Sequence, residues 1–354
     1  MFDVAIVGAG PAGATCAAFC ADAGLRVVLL ERETFPREKV CGDCLNPSCW
    51  PVLERLGVEQ RVRELSHGRL QRVDFVAIGG RTVSVDLPQD AEIAVKRSLF
   101  DQLLMTRAAE AGAEVWQATT VRQILIERDA WQITANDEAL KARVIVAADG
   151  RNSTVARLVG ALPRASKERV GLQTHVALPP DFSERVVLQF LPEGYSGQAP
   201  VGGGELNVCL VAAPPKLHAL KSWAAERFGL APDHYWRSIT PLRRAPVTAA
   251  YRRLLFVGDA ARVVEPFTGE GIYYALHSGE LAAHAAIALI RGSDVGETTR
   301  GYAAAHEQLY RGRLWVNRIA RTAVLSPRAT SLLLRAAVIQ PALLRALTAK
   351  IVRR

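Results

Sequence analysis

No uninterrupted apolar run in this chain is long enough to span a bilayer, and Met1 leads directly into a strand-like segment. Neither a membrane span nor a secretory leader is therefore expected. Cysteine is sparse as well. Six in 354 residues do not make a disulfide scaffold, so a reducing cytoplasm is the expected setting. The one C-x-x-C, Cys41-Gly-Asp-Cys44, has no second pair and no His pair to complete a zinc site, and no metal is expected. Internal repeats and low-complexity segments are missing. So is acid after Glu307: of 44 basic residues ten fall in 311–354, which leaves the rest near neutrality against 35 acidic ones. A basic amphipathic tail points to an anionic membrane surface rather than to nucleic acid, with a solvated helical face as the alternative.

Apolar content of 49% and charged content of 22% are ordinary for a globular enzyme, and the length suggests two domains or one elaborated one. The chain is organised around its first thirty residues. Asp3-Val-Ala-Ile-Val7 reads as a buried parallel strand. It breaks into Gly8-Ala-Gly10-Pro-Ala-Gly13 and a small-residue helix from Pro11 to about Ala23; a second apolar strand, 25–30, ends at Glu31. Gly8 permits the tight turn, Gly10 lets a pyrophosphate approach the backbone, and Gly13 lets helix and strand pack closely. Pro11 costs no hydrogen bond at the first helical turn, whose free N–H groups and dipole favour phosphate. Glu31 stands where a carboxylate accepts bonds from a ribose. The pattern predicts a dinucleotide site in an α/β fold, with a Gly-rich packing turn as the alternative.

Further along, 47–56 reads as a helix ended by Gly57, and 70–87 as strands turned by Gly79-Gly80. A helix opens near Arg97 and runs to Ala111. Strands follow at 114–118, 121–127, 131–135 and 142–148, the last ending in Asp149-Gly150. Antiparallel strands are expected at 170–178, 185–191 and 206–213, with the Gly-rich stretch 194–204 as a separator. A helix near 217–228 precedes a last buried strand, 253–257, ending in Gly258-Asp259. Another helix runs from about Pro266 to Arg291, and the remainder is expected to be helical with breaks at Pro327 and Pro341. Cys16 and Cys20, one helical turn apart, are expected in the core. Cys41 and Cys44 are open to two readings, a redox pair or a close-packed turn.

Three strand ends thus carry turn chemistry. With Ala148-Asp149-Gly150-Arg-Asn-Ser153 and Val257-Gly258-Asp259-Ala-Ala, the sequence resembles the FAD-dependent group of aromatic hydroxylases and geranylgeranyl reductases. Their fold is that of p-hydroxybenzoate hydroxylase. Lys39-Val-Cys41-Gly42 and Thr268-Gly-Glu270-Gly-Ile272 resemble the reductase branch. Two departures stand out. Cys44 replaces the usual glycine, and the reductases' Tyr-x-Trp-x-Phe-Pro reads Tyr195-Ser-Gly197-Gln-Ala199-Pro200, with both large rings made small. The resemblance implies a Rossmann-type FAD-binding domain with an inserted antiparallel substrate sheet. The expected FAD segments are 1–70, 96–168 and 252–300, with substrate strands at 71–95 and 169–251 and a basic helical tail at 301–354.

With Arg97, Cys41, Gly42 and Ile272, which the resemblance implies, the expected cofactor site comprises Gly8, Gly10, Ala12, Gly13, Glu31, Arg32, Val121, Asp259, Gly269 and Gly271. Asp259 would accept ribityl hydroxyls, or else cap the following helix. Cys41, Tyr195 and Glu270 are the catalytic candidates. No second G-x-G-x-x-G follows a strand, so NAD(P)H binds transiently or a protein donates the electrons. The expected activity is reduction of a carbon–carbon double bond in a hydrophobic isoprenoid, lipid or polyketide-like substrate. The alternatives are a flavin monooxygenase and, more remotely, a non-catalytic prenyl binder.

Overall fold

The computed structural model describes residues 1–87, 92–166 and 169–311, together with Arg328 and Thr330. The strand Phe2–Val7 lies at the centre of a parallel sheet, between Val27–Leu30 and the last half of Glu138–Ala147. Glu114–Trp116 extends the sheet on one side and Leu254–Phe256 on the other, both parallel. Four of the six residues of the central strand are fully enclosed in succession, as a sheet covered on both faces requires. The first half of Glu138–Ala147 instead pairs antiparallel with Ala130–Ala135, which pairs in turn with Val121–Glu127.

The helix Pro11–Asp22 is built from small residues because it is enclosed nearly all round. The sheet lies on one side of it, and the helices Gly271–Ile290 and Arg97–Glu110 join it in one core. Small side chains let backbones approach: a Cβ on Gly279 would stand 2.3 Å from the Ala12 carbonyl oxygen. Cys16 and Cys20 have no exposed surface and pack in this core as their spacing predicts.

The second layer is a seven-stranded sheet. Its order is Arg237–Ile239, Val170–Ala177, Glu205–Ala212, Gly194–Gly202, Arg185–Leu191, Arg72–Val76, Thr82–Asp86. Every neighbouring pair is antiparallel except Arg185–Leu191 with Arg72–Val76. The expectation of a separator at 194–204 is wrong. Gly194–Gly202 form a strand paired on both edges, where tertiary pairing overrides the low strand propensity of glycine, and only 203–204 turn. Gly194 is needed there, since a Cβ would lie 2.1 Å from the Val211 oxygen. The short helix Glu59–Glu64, too brief and too charged to show a period, was not foreseen. A small three-stranded sheet joins Cys44–Leu45, Glu92–Val95 and His67–Leu70.

The expected helical tail lies mostly outside the described residues, including its breaks at Pro327 and Pro341. Arg328 is exposed, and Thr330 is buried. No helix among the described residues is long and apolar enough to cross a membrane.

Candidate functional site

A cavity of about 1340 Å³ opens where the carboxyl ends of the parallel strands face the seven-stranded sheet. Open α/β sheets bind ligands at such strand ends. Val7, Leu30, Ala148 and Val257 mark the four strand ends in its wall, and Phe75, Leu188 and Tyr195 face them from the second sheet. The structure brings Gly8, Gly10, Ala12, Glu31, Arg32, Cys41, Gly42, Arg97, Val121, Tyr195, Asp259, Gly269, Gly271 and Ile272 to this wall. Gly13 lies beneath it as a packing residue, with Gly8 O only 1.9 Å from where its Cβ would be. Glu270, the third catalytic candidate, is buried with 1% exposure between Gly269 and Gly271, which line the cavity.

The fingerprint has the geometry a diphosphate needs. Gly8 is in the left-handed region (φ 101°), and a Cβ there would meet the Ala148 oxygen at 2.5 Å. Gly10 looks into open space, its nearest neighbour being Arg37 Nη2 at 3.7 Å from the place of a Cβ. Glu31 Oε2 accepts from the Ala9 N–H at 2.9 Å, and Oε1 accepts from the Glu33 N–H at 3.0 Å. These bonds aim the carboxylate across the loop.

Charged side chains carry this order further. Arg37 Nη2 lies 3.7 Å from Glu31, and its Nη1 donates to Asp101 at 2.9 Å. Asp101 has no exposed surface and accepts two more bonds from Arg97, each 2.7 Å. Sequence reasoning found Arg97 and Glu31 but missed Arg37 and Asp101. The i,i+4 pair Arg97-Ser-Leu-Phe-Asp101 was the available signal.

Lys39 and Arg151 also line the cavity and were likewise missed as site residues. Burial lowers the Lys39 ammonium to about 8, helped by the nearby Arg97, Arg151 and Arg37 and opposed by Asp259. Four cations converging beside an open glycine backbone fit a dinucleotide pyrophosphate. A protonated Lys39 attracts that anion and a neutral one does not. Cofactor affinity is therefore expected to fall as pH rises through about 8, and Lys39→Gln should bind more weakly with a flatter profile. Titrating apoprotein with FAD from pH 6.5 to 9.5 checks this; equal slopes in the two proteins would refute it.

Asp259 does not cap the helix Gly258–Ala261; its Oδ2 accepts from Arg151 Nη2 at 2.9 Å. Asp149 is the loop-fixing acid here, accepting from Ser153 Oγ at 2.6 Å and the Val155 N–H at 3.0 Å. Burial raises its carboxyl.

The 41–44 turn is tied to the second sheet by buried polar groups. Asn207 Nδ2 donates to the Cys41 oxygen at 2.9 Å, and Cys209 Sγ lies 3.3 Å from the same oxygen. Asp43, fully enclosed and at φ 63°, accepts from Gln173 Nε2 at 3.3 Å, and its Oδ2 lies 3.0 Å from His175 Nε2. Burial pushes its carboxyl up to about 6 against the pull of His175. All six cysteines are free. Burial raises the thiols of Cys41 and Cys44, so neither is poised as a thiolate. Cys44 Sγ meets the Gly42 oxygen at 3.3 Å. Among the described residues no group of His, Cys, Asp and Glu is placed to hold a metal.

Tyr195 meets Phe267 edge-on at 5.4 Å, and Phe190 lies 5.8 Å from the same ring. Burial, with Glu265 nearby, holds the Tyr195 hydroxyl well above its usual range. Gly197 leaves room on this wall, as a Cβ there would touch only Leu188, at 3.7 Å.

The pattern of the FAD binding domain family matches residues 1–203. Menaquinone reductase of Mycolicibacterium smegmatis is 33% identical over 316 residues, covering 79% of this chain and 75% of that one. Digeranylgeranylglycerophospholipid reductase 2 of Methanopyrus kandleri is 30% identical over 321 residues, covering 83% and 78%. The chain also matches conditioned medium factor receptor 1 of Dictyostelium discoideum, 30% identical over 332 residues; the match covers 83% of this chain but spans only 65% of that protein. In fold it matches a probable FAD-dependent monooxygenase from Pseudomonas aeruginosa, with a TM-score of 0.78 at 21% identity over 94% of this chain and 99% of the other.

Proposed function

This chain belongs to the FAD binding domain family and is a FAD-dependent oxidoreductase, and from that premise we propose that it reduces a carbon–carbon double bond in the isoprenoid part of a lipid-like substrate. The observation that carries this reading is the wall of the cavity opposite the fingerprint. Val73, Phe75, Leu172, Val186, Leu188 and Phe190 make it apolar, and it adjoins the Cys41 turn. Relatives named as reductases of menaquinone and of a digeranylgeranylglycerophospholipid support the same substrate class.

FAD, when bound, supplies hydride chemistry. The chain's own residues bind and orient it through the 8–13 loop, Glu31, Arg97 and Asp259. Tyr195 and Cys41 line the cavity and keep their protons at neutral pH, so either serves as the donor of a proton to a reduced carbon. The apolar sheet excludes water from that end. Electrons reach the site from NAD(P)H bound transiently or from a donor protein. The ten basic residues of 311–354 hold the enzyme reversibly at an anionic membrane face, at about 1 kcal/mol each near the surface. Flotation on anionic but not neutral vesicles, reversed by salt, is the expected result.

The purified protein, reduced anaerobically by NADPH or dithionite, is expected to be reoxidised by a polyprenyl substrate without oxygen. The product should carry two added hydrogens. Substrate consumption only after air is admitted, with an oxygen atom gained, would make the protein a monooxygenase instead.

A further inference from the structure

One face of the seven-stranded sheet turns polar where the other stays apolar. Register pairs Gln173 with Cys209 and His175 with Asn207, so strand alternation puts all four on a single face. Leu206, Val208 and Leu210 point the other way, into an apolar cluster with Leu172. The polar face meets the 41–44 turn. Asp43 sits there with no exposed surface, its Oδ2 3.0 Å from His175 Nε2 and 3.3 Å from Gln173 Nε2. Gln173 Nε2 also donates to Asn207 Oδ1 at 3.2 Å.

Two features of Asp43 go beyond what fastening a turn requires. Its Oδ1 is buried without a hydrogen-bond partner among the described residues, which is costly for a carboxylate. Its backbone is left-handed (φ 63°), a conformation glycine adopts more easily. The carboxyl therefore has work of its own. Outward along the same sheet face the next residue is Glu205, opposite Ala177, its side chain 38% exposed and paired with Lys96. Exposure falls to 9% at the His175 side chain and to none at Asp43. Inward, Cys41 lines the cavity, and the Asp43 charge acts on the thiols of Cys41, Cys44 and Cys209. Arg97 and Glu38 are the other charged groups near Asp43. Titratable groups thus lead from the surface to the cavity wall without passing through the cavity.

We propose that His175 and Asp43 form a proton inlet that recharges Cys41 from behind the cavity wall. The inference rests on the reading of the protein as a double-bond reductase and adds how its proton is renewed. When the reduced carbon takes the Cys41 S–H proton, the sulfur keeps the bonding pair as a thiolate. The Asp43 carboxyl returns a proton to that thiolate, with the unpartnered Oδ1 as the atom free to carry it. The His175 imidazolium then gives a proton to the Asp43 carboxylate, and water at the exposed edge of His175 restores the imidazolium. One proton moves inward per cycle, and all three groups end as they began. Burial holds the Asp43 carboxyl up to about 6, close enough to neutral pH for it both to give and to take a proton. Asp43 and His175 act through Cys41 and are positioning residues for its proton.

Asp43→Asn tolerates the left-handed backbone and keeps an acceptor for Gln173, but carries no proton. Holoenzyme kept reduced by dithionite is mixed anaerobically with excess polyprenyl substrate, and product is counted per enzyme. Asp43→Asn should make its first product at the wild-type rate and later ones about 100-fold more slowly, the scale of one lost proton transfer. His175→Gln should show the same burst, which keeps the test decisive if Asp43→Asn does not fold. Asp43→Glu should restore steady turnover. A second measurement needs no substrate. Oxidised holoenzyme is moved into heavy water, and the infrared S–H band that Cys41→Ser removes is followed as it exchanges. Exchange should be about 100-fold slower in Asp43→Asn than in wild type. Equal slowing of first and later turnovers, no slowing at all, or equal S–H exchange in the two proteins would overturn the proposal. Slowed exchange in Asp43→Asn, from a wild type that reduces no double bond, would refute the reductase reading alone.

Discussion

Gly13→Ala is expected to cost at least about 3 kcal/mol, a large share of a typical stability of roughly 5–15 kcal/mol. Gly10→Ala, three residues away, should fold normally and lose cofactor. The difference lies in what a methyl group meets. At Gly13 it meets the Gly8 carbonyl oxygen at 1.9 Å and the Ala148 Cβ at 2.9 Å. Gly8 cannot give way, because its N–H is bonded to the Leu30 oxygen at 2.7 Å. Overpacking costs about 1–3 kcal/mol where side chains can shift, and more where backbone is struck. At Gly10 the methyl enters space that the diphosphate needs, and the nearest atom is a guanidinium nitrogen of Arg37 at an ordinary contact of 3.7 Å. Calorimetry and flavin absorbance per mole of protein separate the two effects. For a chain of 354 residues a 3 kcal/mol loss corresponds to a fall in Tm of about 4 °C. A Gly13→Ala protein melting within about 2 °C of wild type would refute the packing argument.

Asp101→Ala is expected to be the other severe change, at about 3–5 kcal/mol with loss of FAD. It leaves Arg97 and Arg37, with side chains 10% and 11% exposed, without the carboxylate that takes three of their bonds. Both guanidiniums line the cavity, so their reorientation disturbs the diphosphate cradle as well as the core. Asp101→Asn keeps the acceptor shape and should lose less. Chemical denaturation of these proteins, with Arg97→Ala and Arg97→Ala/Asp101→Ala completing a cycle, measures the coupling. A cost below about 1 kcal/mol for Asp101→Ala would mean that water replaces the carboxylate there.

Local features were legible in the sequence. The Rossmann turn, the paired cysteines of the first helix and the Gly79-Gly80 hairpin each depend on residues within a few positions of one another, and each formed as expected. Long-range pairing was not. The strand Arg185–Leu191 runs parallel to Arg72–Val76, a partnership no periodicity announces. Gly194–Gly202 looked like a linker because its glycines serve close backbone approach within the sheet. The site divides in the same way. Motif glycines and Glu31 were found from spacing, whereas Arg37, Lys39 and Arg151 act through neighbours brought together by the fold.

The burial of the helix Pro11–Asp22 against Gly271–Ile290 also sets an order of events during synthesis. The first helix leaves the ribosome early, yet its partner follows some 250 residues later. At about 5–20 residues per second this is on the order of ten seconds to a minute. Over that interval the alanine-rich face of the first helix has only the nascent sheet and Arg97–Glu110 to cover it, and the strand Leu254–Phe256 is still to come. The amino-terminal half therefore cannot be a finished folding unit. A chain stopped before Gly271 exposes apolar surface that draws chaperones or other unfinished chains.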